Sequence, residues 1–126
     1  MEQKPSHFLC AGAIGFYGNR GREEQTEESS PGSGFLAEVC EAWERMTLSA
    51  KKAGIRVVNM RFGIVLDPSG GALKTMLLPF RLGLGGQIGD GQQYFSWTTR
   101  NDLCRAISFL LARLDITGPV NIVAPE

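Results

Sequence analysis

Among its 126 residues the chain has no glycine fingerprint for gripping phosphates. Neither G-x-G-x-x-G nor G-x-x-x-x-G-K-[ST] occurs, although 16 glycines are present. Histidine occurs once, at His7, and the three cysteines, Cys10, Cys40 and Cys104, are odd in number and far apart. That leaves neither a zinc site nor a disulfide framework to read, and no metal is expected; free, mostly buried thiols in a reducing compartment are the simpler account. No apolar run approaches membrane-spanning length, and the polar start Met1–Ser6 is too short for a signal peptide. A soluble, intracellular protein without a membrane partner is expected. An excess of one charge is missing as well: 13 basic residues balance 13 acidic ones, and the basic residues are scattered, so no nucleic-acid partner is expected. The nearest thing to a charge cluster, Glu23, Glu24, Glu27 and Glu28, reads as a solvated loop.

What is present is organised around residues 59–91, NMRFGIVLDPSGGALKTMLLPFRLGLGGQIGDG. A β-forming run breaks at Asp67-Pro68 and Gly70-Gly71, resumes as an apolar amphipathic segment and ends in glycines. A strand feeding a glycine-bearing turn and a helix is a usual ligand-holding place in α/β folds. Arg61 interrupts the apolar run 55–66, whose texture suits a parallel strand covered on both faces. A buried guanidinium needs a carboxylate or an anionic ligand, so an ion pair with a helix glutamate and a ligand contact both stay open. The glycines from Gly83 to Gly91 form either a lid or a connection.

Residues 7–14, HFLCAGAI, predict a buried strand, and its small residues Ala11, Gly12 and Ala13 leave room for a ligand or for another backbone segment. Residues 19–34 predict a surface loop. Ser33 is placed to cap a helix running to about Ala53, with Leu36, Val39, Cys40, Trp43, Met46 and Ala50 on one face and Gly54 ending it; Trp43 is expected in the core. A second helix is expected over 71–84, with Leu73, Met76, Leu77 and Phe80 on one stripe and Pro79 kinking or ending it. Residues 94–98, YFSWT, predict a short strand. Thr99-x-x-Asp102 then reads as a capping box opening a third helix, which makes Asp102 a helix-start residue rather than a catalytic acid. Gly118-Pro119 leads into a last strand. Helices between strands argue an α/β fold with a mainly parallel sheet and flanking helices, in one domain.

The runs AIGFYGNRG, EVCEAWE, RFGIVLDPSGGALKTMLLPFRLGLGGQIGDG and YFSWTTRNDLCRAI, with the closing GPVNIVAP, resemble the epimerase-family branch of the extended short-chain dehydrogenase/reductases over almost the whole chain. The resemblance implies a partial Rossmann-like domain over 1–126: the C-terminal half of the cofactor fold plus part of the substrate region. It is read as an internal fragment without the N-terminal dinucleotide-binding motif and the C-terminal region. NADP or NAD, with a small-molecule substrate such as a sugar nucleotide, are the ligands the family implies, but this chain alone is not expected to bind the dinucleotide tightly.

By position, the resemblance places Ala11, Gly12, Ala13, Arg61, Phe62, Gly63, Ile64 and Val65 at the nicotinamide end of the cofactor. It places Leu73, Met76, Gly85, Gly86, Tyr94 and Trp97 on the substrate side. Typical extended members use a serine before the Tyr-Gly pair and a Tyr-x-x-x-Lys on the next helix; here Gly12 and Ala13, and Phe35 and Val39, stand at those places. Tyr17 is then the nearest acid or base. The resemblance thus implies an NAD(P)-dependent epimerase or reductase that is inactive alone. The alternative is a non-catalytic interaction module, such as a homodimer joined through an exposed sheet edge.

Overall fold

The computed structural model describes residues 4–87 and 89–125. Part of the polar amino-terminal stretch and position 88 of the glycine-rich loop therefore lie outside the described residues. The chain runs β1 (His7–Ala13), a 3-10 turn (Ile14–Tyr17), α1 (Phe35–Met46), α2 (Leu48–Lys52), β2 (Arg56–Phe62), β3 (Ile64–Leu66), α3 (Gly71–Arg81), β4 (Trp97–Thr99), α4 (Arg100–Ala112) and β5 (Gly118–Ile122). Strands β1, β2 and β5 form a parallel three-stranded sheet in the order β1-β2-β5, and β3 and β4 pair in a separate parallel sheet.

The central strand β2 has two unlike faces, because side chains alternate along a strand. Val58, Met60 and Phe62 meet α4: Val58, Met60, Leu110 and Ile122 are buried together, with Leu103, Ala106 and Ile107 of α4 packed against them. The other face, Val57, Asn59 and Arg61, meets α1 and α2, where Asn59 donates to the Thr47 hydroxyl at 3.3 Å and Arg61 to Glu44. The α1 layer therefore rests on a partly polar sheet face.

That polarity corrects the apolar stripe expected on the first helix. To bring Glu44 onto Arg61, α1 turns Ala37, Cys40 and Glu44 inward, while Leu36, Trp43 and Met46 stay exposed, Trp43 at 52%. Trp43 is thus not a core residue. The N-cap is Gly34, with no side-chain hydrogen bond, rather than Ser33. Thr47 interrupts the expected single helix: its N–H and its hydroxyl both donate to the Glu44 carbonyl. Gly54 follows α2 with φ +79°, a value that favours glycine.

The strand expected over 55–66 changes sheets at Gly63. Gly63 N donates to the Ile122 carbonyl, and Ile64 N to that of Ser96. A Cβ at Gly63 would lie 2.9 Å from the Ser96 oxygen, so only glycine lets the two backbones approach. Pro79 is tolerated inside α3, which continues to Arg81, and none of the helix's residues is buried. The strand expected over 94–98 is shorter and later, at β4.

The capping box is formed. The Thr99 hydroxyl accepts from Asp102 N at 3.0 Å and donates to the Asp102 carboxylate at 2.8 Å. Thr99→Ala is expected to lower the unfolding free energy by about 1 kcal/mol. Urea denaturation should show it, with Thr99→Ser recovering most of the loss. At the other end of α4, Arg56 donates to the carbonyls of Leu110 and Arg113, acceptors that the helix end leaves open, and to that of Ile116 in the loop beyond.

Candidate functional site

The carboxyl ends of β1, β2 and β5 border a cleft of about 500 Å³. Ile14 follows β1, Ile64 follows the end of β2, and Val123 follows β5; the segments 18–25 and 93–96 wall the cleft from the sides. This is where parallel α/β sheets present residues to ligands. A second hollow of about 310 Å³ lies between α1–α2 and Val57, Asn59, Gly118 and Pro119 of β2 and β5, with Phe16 and Glu44 also in its lining.

Beneath the cleft is a buried polar network. Arg61, 3% exposed, donates from Nε and Nη2 to the two Glu44 oxygens at 2.7 and 2.9 Å, a bidentate pair. Its Nη1 donates to the Tyr17 hydroxyl at 2.8 Å and to the Glu27 carbonyl at 3.4 Å. The guanidinium also lies over the Phe16 ring, 3.5 Å from its centroid. Burial disfavours the Arg61 charge, but the hydrogen bonds to Glu44 and Tyr17 outweigh it and move the pKa above its ordinary value. The Tyr17 hydroxyl donates to Asn121 Oδ1 at 2.6 Å, and Glu27 Oε1 accepts from the Asn121 backbone N–H at 2.8 Å.

The positions anticipated from sequence are spread across this geometry. Tyr17, Ile64 and Tyr94 line the cleft. The Arg61 guanidinium points into the α1 layer, where Glu44 takes it up. Gly12 answers a neighbouring backbone, because a Cβ there would sit 3.3 Å from the Met60 oxygen. Phe62 packs on the α4 core. Ala11, Ala13, Gly63 and Val65 are not in the cleft lining, nor are Leu73, Met76, Gly85, Gly86 and Trp97. The acidic run is not wholly solvated, since Glu27 bonds to both Arg61 and Asn121.

Asn121 is the residue that sequence reasoning missed. Its only signal is an amide in the otherwise apolar PVNIV. Burial pushes the Cys10 and Cys40 thiols up, so neither is primed as a nucleophile. Among the described residues no cluster of His, Cys, Asp and Glu could hold a metal ion.

An epimerase family protein of Mycobacterium bovis is 44% identical over 118 residues, which cover 94% of this chain and 39% of that protein. The chain is similar to epimerase family proteins over nearly all of its own length. The crystal structure of the nucleoside-diphosphate sugar epimerase of Corynebacterium glutamicum superposes with a TM-score of 0.90 at 43% identity, covering 96% of this chain and 26% of that one. A human epimerase family protein solved with NADPH gives 0.85 at 33% identity, covering all of this chain and 43% of that one. No protein-family model matches the chain. The chain has a Rossmann-like α/β fold and spans about two fifths of the length of the mycobacterial proteins it resembles. Among its described residues, no helix is long and apolar enough to cross a membrane.

Proposed function

We propose that this chain forms the nicotinamide and substrate side of an NAD(P)-dependent epimerase or reductase of the extended short-chain type, and that it is catalytically silent alone. The observation that carries the reading is the cleft at the carboxyl ends of β1, β2 and β5, lined by Tyr17, Ile64 and Tyr94. Its volume and its mixture of aromatic and amide groups suit a nicotinamide ring and a polar co-substrate such as a sugar nucleotide. The cofactor's pyrophosphate does not fit as well, because no glycine fingerprint opens a helix anywhere in the sequence. Proton exchange also lacks its usual pair: Phe35 and Val39 offer neither hydroxyl nor ammonium. The relatives, named as epimerases and in one case solved with NADPH, support the reading.

Titrating the purified chain with NADPH while following nicotinamide fluorescence tests it. No binding is expected in the micromolar range, and micromolar binding would overturn the claim of silence.

A second reading, an interaction module, is favoured by one observation. Among the described residues β1 pairs only with β2, and the neighbouring α1 exposes Phe35, Leu36, Trp43 and Met46. Light scattering after size exclusion decides it; a monomer with cooperative unfolding counts against obligatory pairing.

A further inference from the structure

Tyr17 was the nearest candidate acid or base, yet its hydroxyl is fully engaged. Arg61 can only donate, so the phenol oxygen accepts from Nη1 at 2.8 Å and turns its own proton toward Asn121, 2.6 Å away. This assigns Asn121 Oδ1 as the acceptor and leaves Nδ2, which can only donate, on the other side of the amide. Asn121 lines the cleft, and no other described group takes up its Nδ2. The backbone of Asn121 is held as well, through the Glu27 carboxylate. A chain of fixed polarity thus runs from the Glu44 carboxylate through the guanidinium and the phenol to the amide.

We propose that Asn121 is a ligand-contacting residue of the cleft, whose Nδ2 donates to a carbonyl or hydroxyl oxygen of the bound molecule, while Tyr17, Arg61 and Glu44 are positioning residues that fix which way the amide points. The inference rests on the reading that the cleft receives the nicotinamide end of NADPH, and it gives Tyr17 an orienting role instead of a proton-exchanging one. A donor held in advance loses little freedom when a ligand arrives, which is how a single amide discriminates for an oxygen at one place.

The test is NADPH at millimolar concentration added to the ¹⁵N-labelled chain. The expected result is movement of the Asn121 side-chain amide signals together with the backbone signals of Ile64 and Tyr94. Asn121→Asp, which keeps the acceptor for Tyr17 but loses the donor, should weaken binding about fivefold, the loss of one hydrogen bond. Asn121→Leu, which adds no charge, should weaken it similarly. Tyr17→Phe should shift the Asn121 side-chain amide signals in the free chain, a readout that a merely packing role of the ring would leave in place. Movement at Ile64 and Tyr94 with Asn121 unmoved overturns the inference alone. No movement anywhere around the cleft overturns the reading of the cleft and the inference with it.

Discussion

Glu44→Ala is expected to lower the free energy of unfolding by about 3–5 kcal/mol, the cost of leaving a buried charge without its partner. Arg61 is 3% exposed and Glu44 17%, so the guanidinium itself is shielded from water even though Glu44 borders the smaller hollow beside α1–α2. The loss is a large share of the roughly 5–15 kcal/mol that stabilises an ordinary domain, and the urea midpoint should fall accordingly. Tyr17 and the Glu27 carbonyl still accept from Nη1, but both are neutral and leave the charge uncompensated. The double variant Glu44→Leu with Arg61→Leu separates the ion pair from its packing. Apolar replacement of a whole buried pair is often close to neutral, so the double variant should be more stable than Glu44→Ala. If instead Glu44→Ala costs less than about 1 kcal/mol, the pair is behaving as a solvent-screened surface contact and the network does not order the layer.

The same residues explain what the sequence could and could not disclose. The strands β1, β2 and β5 and the stripe on α4 are local patterns: apolar runs bounded by turn residues, and Leu103, Ala106, Ile107 and Leu110 at helical spacing. They are legible because each needs only its own window. The face that α1 turns to the sheet is different, since it depends on a charge that lies in β2 beyond Gly54. Arg61 had two open partners in the sequence, and tertiary structure selects Glu44. Gly63 marks the end of β2 because the backbone of Ser96 passes there, a long-range cause with no signature near Gly63 itself. Within the site, Tyr17 and Ile64 were reachable from the Tyr-Gly pair and the strand end. Asn121 and Glu27 matter through contacts made far along the chain, such as those at 104 and 94 residues' separation, so a local window shows at most an amide in an apolar run and gives neither residue its partner.

Gly32→Ala tests the loop that carries Glu27 to the network. A Cβ at position 32 would lie 2.2 Å from the Tyr17 oxygen and 2.5 Å from its carbonyl carbon, distances that no rotamer change relieves because both atoms are backbone. The loop must lift, which breaks the bond from Gly32 N to the Phe16 carbonyl at 2.8 Å and disturbs the grip of Arg20 on the Ser30 and Pro31 carbonyls. Overpacking of this kind costs about 1–3 kcal/mol. A further cost follows if Glu27 is drawn away, because Arg61 and the Asn121 N–H each then lose an acceptor. Proteolysis of the segment 18–34 under native conditions should speed up markedly, while the core of α4 on β2 keeps its hydrogen-exchange protection, since the lesion is confined to one local unit. Gly70→Ala is the control: nothing lies within 4 Å of a Cβ there, and its extended backbone, φ −168°, accepts any residue, so it should change stability by no more than about 0.5 kcal/mol. Equal behaviour of the two variants would mean that the loop does not rest on the Phe16–Tyr17 turn, and the orientation of Tyr17 toward Asn121 would then lose its upper support.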